Sequence, residues 1–287
     1  MQLIQKRKYK DFIFTSGLYL LVFITIIPLL FIIWELVSRG YKQINLSFFT
    51  ETTPDSYEAM MAVANGEAIP GGILNGIVGT LILTLIASII AIPIGILTGV
   101  YLSETKGGFL CKAIRSISEI LQGVPSIVLG VIAYAWIVVN ITKGFSALAG
   151  SIALAIMMLP MIIKATEETL IMIPNSYKEA ALSLGVPYHK VLFRISLPMA
   201  LNGITTGVLL GIARITGETA PLIVTALGSS MVNIDITQPM SAMPLLIWEF
   251  YNDPNLVDMI WSSSLFLLFF VLLLNIIAKR LNKKWKL

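Results

Sequence analysis

AIPGGILNGIVGTLILTLIASIIAIPIGILTGVYLS, from Ala68 to Ser103, runs for 36 residues without a charged side chain. About 20 apolar residues of helix cross a hydrocarbon core roughly 30 Å thick, so this stretch is long enough for one crossing with residues to spare. In lipid no water is available to pair the backbone, and a helix is the single-segment structure that satisfies its own N–H and C=O groups. The stretch therefore predicts a membrane-spanning α-helix.

Outward from it the same pattern repeats. Charge-free gaps of 23, 20 and 20 residues separate Glu119 from Lys143, Lys143 from Lys164, and Asp258 from Lys279. Each gap is read as a span. A further span runs from Phe12 to about Val37, with its one charge, Glu35, near the far end. A sixth, from about Pro198 to about Gly228, is anomalous because Arg214 and Glu218 lie inside it. Across all 287 residues, 56% are hydrophobic, 13% are charged, and mean hydropathy is +0.86. Soluble proteins carry about 25% charged residues to hydrate their surfaces, so the composition excludes a water-soluble enzyme. The fold class expected is all-α transmembrane with six helices. Residues 1–72 are expected to form a basic tail, the first span and a polar outer segment, and residues 73–287 a core with the other five spans.

Positive side chains resist translocation, which sets the orientation. Six spans put both termini on one side, and that side holds fifteen of the twenty Lys and Arg residues, including Lys6, Lys106, Lys178 and Lys286. The other side holds Arg39, Lys42 and Lys143. Both termini are therefore expected in the cytoplasm, and the net charge of +4 reads as topology, with no nucleic-acid partner needed. The opposite loops are acidic, with Glu51, Asp55, Glu58, Glu67, Asp235, Asp253 and Asp258. Within the outer segment 229–257, a short re-entrant or surface helix is expected around Met243 to Tyr251. The first span is too long for a signal peptide and lacks a small-residue cleavage pattern, so it is read as a retained helix. One cysteine, Cys111, cannot form an internal disulfide, and no Cys/His spacing suggests a metal. His189, beside Lys190 and Arg194, reads as a solvated interface residue.

IPNSYKEAALSLGVPYHKVLFRISLP, Ile173 to Pro198, has its own local physics. Pro174 suits a helix start, Asn175 or Ser176 can cap it, and Ala180, Ala181, Leu182 and Leu184 favour helix. Gly185 and Pro187 stop it, and a second short helix from about Tyr188 leads into the next span. An apolar face of Ala180, Ala181, Leu184 and Val186 outside the membrane suggests docking to another protein. At these residues the chain resembles the permease subunits of bacterial ABC importers, whose signature is E-A-A, three residues, G, nine residues, I-x-L-P. Glu179, Ala180, Ala181, Gly185, Ile195, Leu197 and Pro198 meet it with every spacing intact. The resemblance implies a type I permease fold in which Glu179 to Gly185 form the coupling helix seated on an ATPase subunit. No G-x-x-x-x-G-K-[ST] is present, so nucleotide must be held by a partner, and neither H-E-x-x-H nor G-x-S-x-G supports an enzyme. The chain is expected to be a transport component with no cofactor of its own, ATP and magnesium being bound by the partner ATPase.

An arginine near the bilayer centre costs at least about 2.5–3.5 kcal/mol on insertion scales, so it faces the protein interior, pairs, or lines an aqueous path. Glu218 is four residues after Arg214 and can pair with it. Thr216, Gly217, Thr219 and Pro221 weaken the helix and supply hydroxyls where lipid-facing residues would otherwise stand, which favours a path lined by Arg214, Glu218, Thr216 and Thr219. Pro221 would also free a carbonyl one turn earlier. A guanidinium offers a rigid donor fork that fits tetrahedral oxyanions such as phosphate or sulfate. Lys164 and Glu168, four apart, read as a pair within one cytoplasmic turn, and Lys164 is left off the ion path.

ARITGETAPL (Ala213 to Leu222), LQGVPSIVLG (Leu121 to Gly130) and LPMIIKATEETL (Leu159 to Leu170) are similar to segments of the phosphate-specific branch of that family, the PstA permeases. This branch's members would have arginine where Lys164 stands. The resemblance implies phosphate as cargo, a homologous second permease (PstC-like), an ABC ATPase dimer (PstB-like) and an extracytoplasmic phosphate-binding protein (PstS-like). Alternatives are a permease for sulfate, molybdate or phosphonate, and a membrane signalling component that reports phosphate supply.

Overall fold

A computed structural model describes residues 2–105 and 107–284; Lys106 and Lys286, counted above, lie outside the described residues. The helices in order are α1 (Gln2–Gly40), α2 (Leu46–Thr50), α3 (Ser56–Asn65), α4 (Leu74–Glu104), α5 (Phe109–Gly123) and α6 (Ser126–Ala133), which continues as a π-helical segment (Tyr134–Thr142). Then follow α7 (Ala147–Ile171), α8 (Asn175–Ser183), and α9 (Tyr188–Val191), which passes through a π-helical segment (Leu192–Ser196) into α10 (Leu197–Thr216). After the short α11 (Ala220–Ile223) come α12 (Met243–Tyr251), a 3-10 turn (Pro254–Leu256) and α13 (Val257–Lys284).

Among the described residues, five segments are long and apolar enough to cross a membrane: Lys10–Gly40, Leu74–Glu104, Ala147–Ile171, Tyr188–Thr216 and Pro254–Ile277. The expected crossing between Glu119 and Lys143 is different. There the chain bends by 108° between α5 and the α6 segment, so it is a sixth crossing only if the bent pair is taken as one. The cause is local: Pro125 pushes Val124 out of the α region, to φ −71° and ψ 131°.

The core is centred on α7, which packs against α4 on one side and α10 on the other. Lipid gives helices no hydrophobic reason to associate, so close approach of small residues must supply the contact. Gly95 and Gly99 of α4 lie against Ile162 and Thr166, and Gly203, Gly207 and Gly211 of α10 lie against Thr169, Ala165 and Met158. A Cβ at Gly207 would overlap that of Ala165. By contrast α1 lies along α13, and its other faces show exposed Phe, Leu and Ile, as a lipid-facing helix requires. Near its end Arg39 pairs with Glu35 at 2.5 Å and sits 5.1 Å from the Trp261 ring centre, a membrane-interface anchor.

The outer segment is ordered against the core. Phe48, Ala59, Ile69 and Ile73 share a buried cluster with Met243, Leu246, Phe250 and Met259, so α2 and α3 cover α12 and the start of α13. Asp253 fastens the layer; its carboxyl is held below the usual carboxylate range, first by a hydrogen bond from the Ser56 side chain and then by the Asn255 backbone N–H. The helix expected at Met243 to Tyr251 is present as α12, and its entry is pinned where the Met243 N–H donates to Thr80 Oγ1 at 2.8 Å.

Candidate functional site

In the sequence Arg214 interrupts a span; in the structure the helix stops there. α10 ends at Thr216, and the Gly217 and Glu218 N–H groups close its last turn on the Arg214 and Ile215 carbonyls. Pro221 opens α11 and therefore frees no carbonyl inside a long helix, contrary to the sequence expectation. The chain then returns through Leu227, Gly228 and a loop whose Gln238 and Ile236 carbonyls accept the first N–H groups of α7. Such irregular backbone at membrane depth is tolerated where protein buries it or a cavity adjoins it.

The glycine contacts set the depth of Arg214. Gly203, Gly207 and Gly211 lie level with Thr169, Ala165 and Met158, so the two helices are antiparallel, and Arg214 lies about one turn beyond Met158. That level is near the middle of the charge-free run 144–163. Helical side chains lean toward their own N-terminus, so on antiparallel helices Arg214 and Lys164 lean toward one another. Both line a cavity of about 360 Å³, with Gln122, Met161, Ala165, Glu168, Gly207 and Leu210. A second cavity of about 240 Å³ adjoins it and shares Gln122, Lys164 and Glu168. Its far wall is the Arg115–Glu167 pair at 2.7 Å, where Arg115 also donates to the Leu102 carbonyl. The result is an open polar seam between α5, α7 and α10, lined by the exposed Gln122, Lys164, Glu168 and Arg214 side chains along an otherwise apolar bundle.

The sequence-predicted path residues separate on inspection. Arg214 faces the cavity, and Glu218 Oε1 is 3.5 Å from Arg214 Nε, a pair loose enough to leave donors of the guanidinium available. Thr216 is buried and its hydroxyl donates to the Ile212 carbonyl, so it presents no free hydroxyl to the cavity. Thr219 stands at the N-cap position of α11, where its side chain makes no capping hydrogen bond, and it does not line the cavity. Lys164 and Glu168 do pair, at 3.9 Å, but Lys164 also shares the Arg214 cavity. Sequence spacing missed that placement because it relates residues along one helix and says nothing about register across two. The four-residue spacing of Gly203, Gly207 and Gly211 was the available signal. Among the described residues no group of His, Cys, Asp and Glu is gathered for a metal.

The loop helix α8 has two faces. Pro174 sits at the N-cap with no side-chain capping bond, so neither Asn175 nor Ser176 caps it as expected. Glu179, Ala180 and Leu184 are exposed, Leu184 by 83%, while Ala181 is buried against the chain itself, which corrects the expected apolar face. Gly185 adopts φ +74°, and the Val186 N–H returns to the Ala181 carbonyl. That left-handed turn is why glycine stands there. The π-helical segment at Leu192–Ser196 precedes Pro198, which lacks the N–H that an α-helix would aim at Arg194.

Residues 91–286 match the family described as binding-protein-dependent transport system inner membrane component. A phosphate transport system permease protein PstA of Pasteurella multocida is 38% identical over 95% of this chain and 94% of its own length. The PstA protein of Yersinia pestis is 38% identical over 90% of the chain and 85% of its length, and the PstA 2 protein of Mycobacterium tuberculosis 35% identical over 96% and 89%. Among solved structures, a bacterial alginate ABC transporter chain superposes with TM-score 0.68 at 14% identity, covering 96% of this chain and 97% of its own. A chain of the inward-facing MetNI methionine ABC transporter gives 0.64 at 20% identity over 74% and 95%. At those identities they support the permease fold alone. By its family model and its relatives together, the chain belongs to the binding-protein-dependent transport system inner membrane components, within the PstA permeases.

Proposed function

We propose that this chain is one membrane half of an ATP-driven phosphate importer, and that phosphate passes the seam between α5, α7 and α10. One observation carries the reading: Arg214, level with the middle of the charge-free run 144–163, and Lys164, at its end, converge on a single cavity. Two cations on one cavity suit a tetrahedral dianion, and Glu168 and Glu218 beside them weaken the hold so that the ion can leave. Thirty-to-forty per cent identity to phosphate permeases over nearly the whole chain supports the cargo.

The chain supplies no nucleotide site and makes no covalent bond. A homologous second permease, PstC-like, encloses the path from the other side. Glu179, Ala180, Leu184 and Gly185 of the exposed α8 face seat on a PstB-like ATPase, which binds the ATP and magnesium. A PstS-like phosphate-binding protein docks on the acidic outer loops, and both termini lie in the cytoplasm, as the fifteen-to-three distribution of Lys and Arg supports. Closure of the ATPase dimer rocks the rigid helices above and switches the open side.

Lys164→Gln tests the two-cation cavity. Phosphate uptake in vesicles containing the assembled transporter is expected to fall about tenfold, the worth of one charge-assisted hydrogen bond. Uptake equal to wild type would remove Lys164 from the path.

A further inference from the structure

Among the described residues, one of the ion pairs that join separate elements has no place in the seam. Glu104, the last residue of α4, receives Lys178 Nζ on Oε1 at 2.5 Å and the Tyr188 hydroxyl on Oε2. Lys178 lies on α8 immediately before Glu179, and Tyr188 opens α9. The Lys178 and Glu104 side chains are only 16% and 18% exposed, whereas the Lys164–Glu168 pair is more than half exposed. Exposed pairs along one helix contribute little, but a pair withdrawn from water holds its geometry, because separating it strands a charge. Both carboxylate oxygens are engaged, so one side chain ties the two arms of the loop to the end of α4. α4 is in turn packed along α7 through Gly95 and Gly99, and Ile96 and Val100 of α4 meet Leu170, Ala200 and Ile204 at the same end of the bundle.

We infer that Glu104 is a positioning residue that transmits movement of α8 to α4, so that the clasp Lys178–Glu104–Tyr188 converts ATPase closure into opening of the path. This rests on the reading of α8 as the ATPase-docking helix. A helix docked by its exposed face alone could roll on its partner. With Lys178 and Tyr188 both held on Glu104, a push on Leu184 or Ala180 must move α4 as well.

The test uses the complete four-component transporter in proteoliposomes, measuring ATPase co-purification, ATP hydrolysis and phosphate uptake side by side. Glu104→Gln is expected to keep the ATPase bound and hydrolysing while phosphate moved per ATP falls about tenfold, within the usual range of coupling between sites. Lys178→Glu combined with Glu104→Lys is expected to recover most of that ratio, because the pair is rebuilt with its charges exchanged. Tyr188→Phe, which keeps the ring and removes one donor, should give a smaller loss. A wild-type uptake-to-hydrolysis ratio in Glu104→Gln overturns the clasp, as does a double exchange that recovers nothing although it assembles. Loss of ATPase binding in Glu104→Gln would also overturn it, making the carboxylate part of docking. A failure of the docking reading itself shows elsewhere: substitutions on the exposed face of α8 would then leave ATPase binding unchanged.

Discussion

Arg214→Gln is expected to abolish measurable phosphate uptake while leaving the transporter assembled in the membrane. The guanidinium is the deepest cation of the seam, and its partner Glu218 holds it by one long contact, so most of its donor fork is open to an anion. Glutamine stays polar but is two bonds shorter and loses both the charge and the donor fork. A hydrogen bond to a charged group is worth about 1.5–3 kcal/mol, and Arg214 can make two to one phosphate, so a loss of at least about a hundredfold follows. It also strands the Glu218 carboxylate, only 20% exposed, where it repels the ion. Arg214→Lys should fall between, because the charge stays and the fork does not. Wild-type uptake by the Gln variant, with assembly verified by co-purification, would sink the assignment. Retained phosphate signalling without uptake would identify a second, non-conducting role carried by the same chain.

The second large effect is expected at the loop tip. Gly185→Trp should leave membrane insertion intact and eliminate co-purification of the ATPase. Two effects combine there. Gly185 holds φ +74°, where a side chain costs roughly 1–2 kcal/mol, and an indole at this point stands beside the exposed Leu184, on the face proposed to dock. No atom lies within 4 Å of the position a Cβ would take, so the bundle itself is not disturbed. Gly185→Asn separates the causes: asparagine tolerates the left-handed region and is small, so it should retain most of the binding. Normal ATPase recovery with the Trp variant would place the docking surface elsewhere.

Much of this arrangement was legible in the sequence because charge is so costly in lipid. The run 259–278 fell within α13, the runs 68–103 and 144–163 coincide with α4 and α7 apart from their first six and three residues, and the E-A-A to I-x-L-P spacing located a helix, a turn and a second helix. What escaped was geometry that charge counting cannot see. Between Glu119 and Lys143 the gap looks like one crossing, yet Gly123 and Pro125 bend it by 108°. From Pro198 to Gly228 the two charges that flank the end of α10 at Thr216, Arg214 and Glu218, were read as lining a path within one continuous span, so the helix end between them went unread. Ala181 turned inward because an alanine face does not say which neighbour it meets. Lys164 joined Arg214 because α7 and α10 approach through Gly203, Gly207 and Gly211, a register between helices that no single helix encodes.

The central claim is that phosphate occupies the cavity between α5, α7 and α10. Leu210 lines it, one turn before Arg214, and is 54% exposed, whereas the native Cys111 is fully buried. In the assembled transporter carrying Leu210→Cys, the rate of modification by a small thiol reagent measures access to that cavity directly. Phosphate at ten times its half-saturating concentration is expected to slow the reaction about tenfold, with sulfate at equal ionic strength leaving it unchanged. Modification at the same rate with and without phosphate would contradict the account.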